Sequence, residues 1–193
     1  MKCYLDITLL PSADIPFYFL WEKVYQQLHL ALVEVQKSDN IVKIGAAFPT
    51  YKREKFPLGS KVRLFAPSIT DLENLEINKW LSRLSDYVHM TSIRDVPKKI
   101  DGYAHYYRVN QRMSNEDKAR NNAERLNIPY EQALVSLKGR CAEQPKEPFI
   151  YINSLSSEQR FRLPIGLQKA DKSIFIKGFS TYGLSNKGTV PIF

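Results

Sequence analysis

Cys3, Leu5, Ile7 and Leu9 alternate with Tyr4, Asp6 and Thr8, the two-residue period of a half-buried strand. Pro16 then suits the first position of a helix. Behind it Phe17, Leu20, Trp21, Val24, Leu28, Ala31, Leu32 and Val35 recur at helical spacing along one face. The short apolar run Ile41 to Phe48 stops at Pro49 and predicts a buried strand. Val62, Leu64 and Ala66 alternate with Lys61, Arg63 and Phe65 in another. Thr70 and Glu73 have capping-box spacing ahead of Leu72, Leu75, Trp80, Leu81 and Leu84, and Val88 to Ile93 closes the set. The predicted order, βαββαβ, is that of a ferredoxin-like unit. Several RNA-binding domains use this topology, and so do many unrelated proteins.

Arg94 to Gly102 gathers Pro97, a glycine and several charges, which predicts a linker and a domain boundary near residue 97. After it, Tyr103 to Val109 predicts an aromatic strand. Ser114 caps a polar helix running to about Asn127, with Lys118, Arg120 and Arg125 on it, and Pro129 starts a second helix that ends near Gly139. Phe149 to Ile152, Arg160 to Ile165 and Ile174 to Phe179 predict strands. The expected fold is α+β, a ferredoxin-like domain over residues 1–96 followed by a basic α+β domain over 97–193.

Charge sharpens that division. The net charge is +8. Residues 1–96 hold 12 Lys/Arg against 11 Asp/Glu, whereas residues 97–193 hold 16 against 9. The excess in the second half points to a phosphate-rich partner or, on charge alone, to a solvated basic surface. No apolar run approaches the roughly 18 residues of a membrane span. The first residues lack the apolar block of a secretory signal, so the expected location is the cytoplasm. Cys3 and Cys141 are the only cysteines, too few for a disulfide framework, and both are expected as free thiols.

Common enzyme signatures are missing: there is no glycine-rich phosphate loop, no HExxH and no Cys/His spacing of a zinc site. No tight acidic cluster suggests a two-metal nuclease. Phosphate chemistry by this chain would therefore rest on side chains, without metal or cofactor. The three histidines are His29, His89 and His105. His29 follows the apolar Leu28, and one helical step of about 100° puts it at the border of the buried stripe. There it is either structural or held facing a cleft. His89 lies in a predicted strand, and His105 among Tyr103, Tyr106 and Tyr107 is a candidate RNA contact. Two strings near the end are more specific. Asn153-Ser154-Leu155-Ser156-Ser157-Glu158-Gln159-Arg160-Phe161-Arg162-Leu163 puts hydroxyls, an aromatic and two arginines into a hairpin. Tyr182-Gly183-Leu184-Ser185 precedes Val190-Pro191 and Phe193. Taken singly, each has a plain structural reading as a turn, a core aromatic or loop glycines.

Taken in order with Tyr4-Leu5-Asp6-Ile7 and Leu28-His29, these strings resemble the CRISPR repeat-processing endoribonuclease of the subtype I-F systems, over essentially the whole chain. The resemblance implies metal-independent cutting of precursor RNA at the base of a repeat hairpin. It also implies retention of that hairpin beside other subunits of a type I effector complex. His29 matches the catalytic histidine, Tyr182 the tyrosine that positions it, and Ser154 the serine that holds the attacking ribose. Ser156 and Ser157 match hydroxyl positions at the scissile phosphate, and Phe161 the aromatic under the closing base pair. The polar helix with Lys118, Arg120 and Arg125 matches a helix that enters the RNA major groove, but Asn121 and Asn122 stand where arginines are common. Arg108 with Asn110 or Gln111 matches the base-reading pair, with slipped spacing. The competing reading is a non-catalytic hairpin-binding subunit of the same complex.

Overall fold

The computed structural model describes residues 1–36, 41–110, 115–137, 145–154, 158–175 and 178–193, apart from the Asp117 side chain. Its contacts group the chain into two units, one made of 1–108 with 148–193 and a smaller one of 109–147. This grouping differs from the expected boundary near residue 97. One continuous core takes Leu5, Trp21 and Phe65 from the first half and Ala104, Ile152, Leu163 and Val190 from the second.

In the large unit, β1 (Cys3–Leu9) leads into α1 (Phe17–Glu34). Pro16 caps α1, and Leu20, Trp21, Val24, Tyr25, Leu28, Ala31 and Leu32 form its buried stripe. The run predicted as one strand over 41–48 is two short ones, β2 (Ile41–Val42) and β3 (Gly45–Ala47). β4 (Lys61–Ala66) follows as expected. The predicted long helix is broken. Ser68, not Thr70, accepts the capping bond, from Asp71 N, and opens α2 (Ile69–Glu73). Glu76 then takes a left-handed φ of 44°, which interrupts the helix before α3 (Ile77–Trp80) and a 3-10 segment, Ser82–Tyr87. β5 (Val88–Met90) and β6 (Arg94–Asp95) both pair with β1, so the expected linker begins inside the sheet. The sheet order is β3-β4-β1-β5, with antiparallel pairing throughout.

A second sheet has the order β11-β7-β9-β8, built from β7 (Gly102–Arg108), β8 (Phe149–Asn153), β9 (Arg160–Ala170) and β11 (Val190–Ile192). Among the described residues of the predicted strand 174–179, only Phe179 is in a strand. It belongs to β10 (Phe179–Ser180), which pairs with β2. This pairing brings a segment near residue 180 beside α1 and β3. Cys3 is a buried free thiol, as expected.

The small unit is a helical pair, α4 (Asn115–Leu126) and α5 (Tyr130–Val135), joined over Ala119, Ala133 and Leu137. Asn127 at φ 51° and the Ile128 N–H bonded to Ala123 O end α4 as a left-handed cap. At about 100° per residue, Lys118 and Arg125 fall on one side of the buried Ala119 and Arg120 on the other. No helix among the described residues is long and apolar enough to cross a membrane.

The first sheet is pinned by a buried ion pair across β1 and β4. Asp6 accepts from Arg63 Nε at 2.7 Å and Nη2 at 3.0 Å, and from Lys61 Nζ at 3.2 Å. Arg63 also donates to Phe193 O at 3.1 Å, with its guanidinium over the rings of Tyr4 and Phe193. Burial pushes the Asp6 carboxyl up, but the hydrogen bonds and charges of Arg63 and Lys61 outweigh it, and the net shift is downward. Arg63→Leu strips the main partner from a buried carboxylate and is expected to cost about 3 kcal/mol in denaturant unfolding. A carboxyl with a lowered pKa stabilises the fold above its unfolded pKa of about 3.9 and loses that contribution as pH falls through the folded value. The gap between wild type and variant should therefore narrow in acid. An equal gap at neutral and acidic pH would contradict this account of Asp6.

Candidate active site

His29 lies one step beyond the fully buried Leu28 and is itself half-buried. Its ring is met by a single turn, Ser180 to Gly183. The turn closes with Gly183 N–H donating to Ser180 O at 2.8 Å, and Ser180 N–H donates to Leu184 O at 2.9 Å. Ala46 N–H on β3 donates to Gly183 O at 2.7 Å. Gly183 has φ +69°, and a Cβ there would lie 2.8 Å from Ala46 Cβ. Only glycine satisfies both the left-handed backbone and the close approach.

The clamped turn presents two groups to His29. Thr181 O lies 2.9 Å from Nδ1. A carbonyl only accepts, so Nδ1 carries the proton, and in the neutral ring Nε2 keeps its lone pair. The Tyr182 ring stacks on the imidazole with centroids 4.1 Å apart and planes 11° from parallel. One helical turn before His29, the Tyr25 hydroxyl donates to Tyr182 O at 2.8 Å and ties the same turn to α1 again. Burial lowers the His29 pKa, and the bond to the Thr181 carbonyl only partly opposes it. Burial raises the Tyr182 phenol, against the nearby positive charge of Arg108.

Arg108, at the end of β7, lies 5.4 Å over the Phe161 ring. Phe161 on β9 is half-buried against the core. Ser154 directly follows β8 and donates its N–H to Gln159 O at 2.9 Å across the hairpin. The preceding residue is fixed to α1. Asn153 N–H donates to Gln26 Oε1 at 2.9 Å, Asn153 Nδ2 to Glu22 Oε1 at 3.4 Å, and Arg160 Nη2 to Glu22 Oε2 at 2.5 Å. The structure thus brings His29 and Tyr182 into direct contact, and Arg108 onto Phe161, in the large unit.

The other expected residues fall elsewhere. Asn110 is exposed and belongs to the small unit, as do Lys118, Arg120 and Arg125 on α4. Gln111, Ser156 and Ser157 lie outside the described residues. His89 is exposed on β5, and His105 is bonded through Nδ1 to Gly188 O at 2.9 Å, so neither joins His29. Sequence reasoning missed Tyr25, Thr181, Glu22 and Gln26. Glu22, Gln26 and His29 do carry a signal, the i, i+4, i+7 spacing of one helical stripe. Among the described residues no three His, Cys, Asp or Glu side chains are grouped to hold a metal ion.

Comparison with known proteins supplies the context. A family model described as CRISPR-associated protein (Cas_Csy4) matches residues 4–193. A CRISPR-associated endonuclease Cas6/Csy4 of Pseudomonas aeruginosa (strain UCBPP-PA14) is 32% identical over 193 residues, the whole of both chains. One of the same description from Escherichia coli (strain UTI89 / UPEC) is 30% identical over the same full lengths. A solved structure titled as the characterization of a Cas6-related gene from Pyrococcus furiosus aligns over 100% of this chain and 99% of its own, at 10% identity and a TM-score of 0.37.

The bonding of the ring gives a direct check. In a nitrogen-15 NMR titration, neutral His29 should carry its proton on Nδ1 and titrate below the ordinary value of about 6.5. An Nε2–H tautomer would contradict the clamp, and a pKa above 6.5 would mean that burial does not outweigh the Thr181 bond.

Proposed function

The chain belongs to the Cas_Csy4 family of CRISPR-associated proteins, and we propose that it is an endoribonuclease that cuts CRISPR precursor RNA at the base of the repeat hairpin without a metal ion. It then stays on the hairpin as part of an effector complex. The observation that carries this reading is the His29 ring, held by Thr181 and Tyr182 with Nε2 as its free-base nitrogen. We read the first sheet as a ferredoxin-like unit, a reading supported by its strand order and antiparallel pairing.

RNA carries its own nucleophile. His29 Nε2 takes the proton of the 2′-OH upstream of the scissile phosphate, and the 2′-oxygen bonds to phosphorus. The bond from phosphorus to the 5′-oxygen breaks, and that oxygen takes up a proton. The products are a 2′,3′-cyclic phosphate and a 5′-OH, with no water consumed. A base works best with a pKa near the operating pH. Burial lowers that of His29, so the neutral form is already dominant at neutral pH. Ser154 holds the ribose, contributing rate through orientation, and Tyr182 fixes the imidazole plane. Ser156 and Ser157 contact the scissile phosphate.

Phe161, with the Arg108 guanidinium 5.4 Å from its ring, receives the closing base pair, where stacking is worth about 1–3 kcal/mol per base. Arg108 with Asn110 or Gln111 reads bases in the stem. Lys118, Arg120 and Arg125 supply phosphate contacts from α4, which carries fewer arginines than the resemblance implies. The N-terminal and C-terminal halves divide the work, with the base on the first and most of the RNA contacts on the second.

His29→Ala should slow single-turnover cleavage of the host repeat RNA by at least about 10²-fold and leave hairpin affinity nearly unchanged. Wild-type cutting by this variant would remove His29 from the role of base, whereas absence of cutting by the wild-type protein itself would favour the non-catalytic subunit. The wild-type rate should rise with pH through a pKa below about 6.5, as His29 loses its proton, and then level off. It should persist in EDTA. Abolition by EDTA with recovery on adding Mg²⁺ would refute metal-independent cutting.

A further inference from the structure

We propose that Glu22 and Gln26 are positioning residues for the cut, holding the end of β8, and with it Ser154, at a fixed offset from His29. The inference rests on the roles given above to His29 and Ser154. Glu22, Gln26 and His29 share one stripe of α1, separated by one turn and then nearly another, so Gln26 precedes His29 by about 4.5 Å along the axis at 1.5 Å per residue. The stripe reaches the strand end through three bonds: Gln26 Oε1 from Asn153 N–H, Glu22 Oε1 from Asn153 Nδ2, and Glu22 Oε2 from Arg160 Nη2. Arg160 is braced by the Tyr151 ring, 4.0 Å from its guanidinium carbon. Asn153 and Arg160 face each other in the β8–β9 ladder. Asn153, just before Ser154, and Arg160, opposite Asn153 in the ladder, are thus both fastened to the helix that carries His29.

The composition of this clasp argues for a role beyond folding. Glu22 is a buried carboxylate, only 6% exposed at its side chain, while Arg160 is 50% exposed. Gln26 uses its carbonyl, but its Nε2 is buried with no hydrogen-bond partner among the described residues. A buried charge is a poor choice for stability alone, and an apolar pair would pack the same contact more favourably. What the polar pair adds is direction. Three directional bonds to the helix restrict the strand end more narrowly than apolar contact would, and misplacement of a catalytic group by about 1 Å can cost about 10²-fold in rate.

Gln26→Leu preserves bulk and removes the acceptor. Glu22→Gln keeps an acceptor and removes the charge, which secures the test should the first variant fold poorly. Both are assayed as full-length protein on host repeat RNA for single-turnover rate, hairpin affinity and unfolding temperature. The rate should fall about 10- to 100-fold with affinity within about twofold and no more than a modest drop in unfolding temperature from the lost bonds. In a Ser154→Ala background the further loss from Gln26→Leu should shrink to about twofold or less, because residues acting through one another are not additive. A wild-type rate in both variants while Ser154→Ala is slow overturns the clasp and leaves the site reading intact. A full Gln26→Leu penalty in the Ser154→Ala background also overturns it, since Gln26 would then act elsewhere. If Ser154→Ala and His29→Ala both cut like wild type, the site reading itself fails and the clasp falls with it.

Discussion

The hydrogen bond between His29 Nδ1 and the Thr181 carbonyl sets the rest of the candidate site. It decides which nitrogen holds the proton, and hence which one can take another. The bond exists because the turn at 180–183 is clamped on three sides. Its closing bond fixes the carbonyls, Ala46 on β3 holds Gly183, and Tyr25 on α1 holds Tyr182 O. Tyr182 then lies flat on the imidazole and removes its remaining rotational freedom. A histidine fixed this way keeps one ring orientation before any ligand arrives.

Residues about 150 apart in sequence meet here because of the sheets around them. β10 pairs with β2 and delivers the turn, while β2 and β3 follow directly from α1. Gly45 leaves room for the Phe179 ring, which a Cβ would approach to 2.7 Å. The second sheet brings Asn153 to the same helix. One helix therefore receives the turn at His29 and the β8–β9 strand ends at Gln26 and Glu22. Separating the chain at residue 97 would divide the core that holds these pieces in register.

Much of this was legible in the sequence because the periods are strong. The α1 stripe, β1 and β4 follow directly from their hydrophobic spacing, and the border position of His29 follows from the step after Leu28. Family resemblance, rather than periodicity, singled out Tyr182 and Ser154. The broken helix after Ser68 was not legible, since Glu76 adopts a left-handed backbone that its residue type does not announce. The short strands at 41–47 were read as one because a two-residue strand has no period of its own. Thr181 escaped notice because its contribution is a backbone carbonyl, which any residue supplies. Glu22 and Gln26 escaped because polar residues on a helix normally face water, and only the packing of β8 reveals them as partners of Asn153.

The central claim is that His29 withdraws a proton from the RNA's own 2′-hydroxyl. It is tested most directly with a repeat RNA that carries a single 2′-deoxy sugar just upstream of the scissile phosphate. That substrate keeps the stem, the phosphates and the closing base pair, and loses the hydrogen bonds of one hydroxyl, each worth about 0.5–1.5 kcal/mol. It should bind nearly as tightly as the natural RNA and accumulate uncut as a stable complex. Cleavage of the deoxy RNA at the ordinary rate would mean that the attacking oxygen comes from elsewhere, and would contradict the roles given to His29 and Ser154 together.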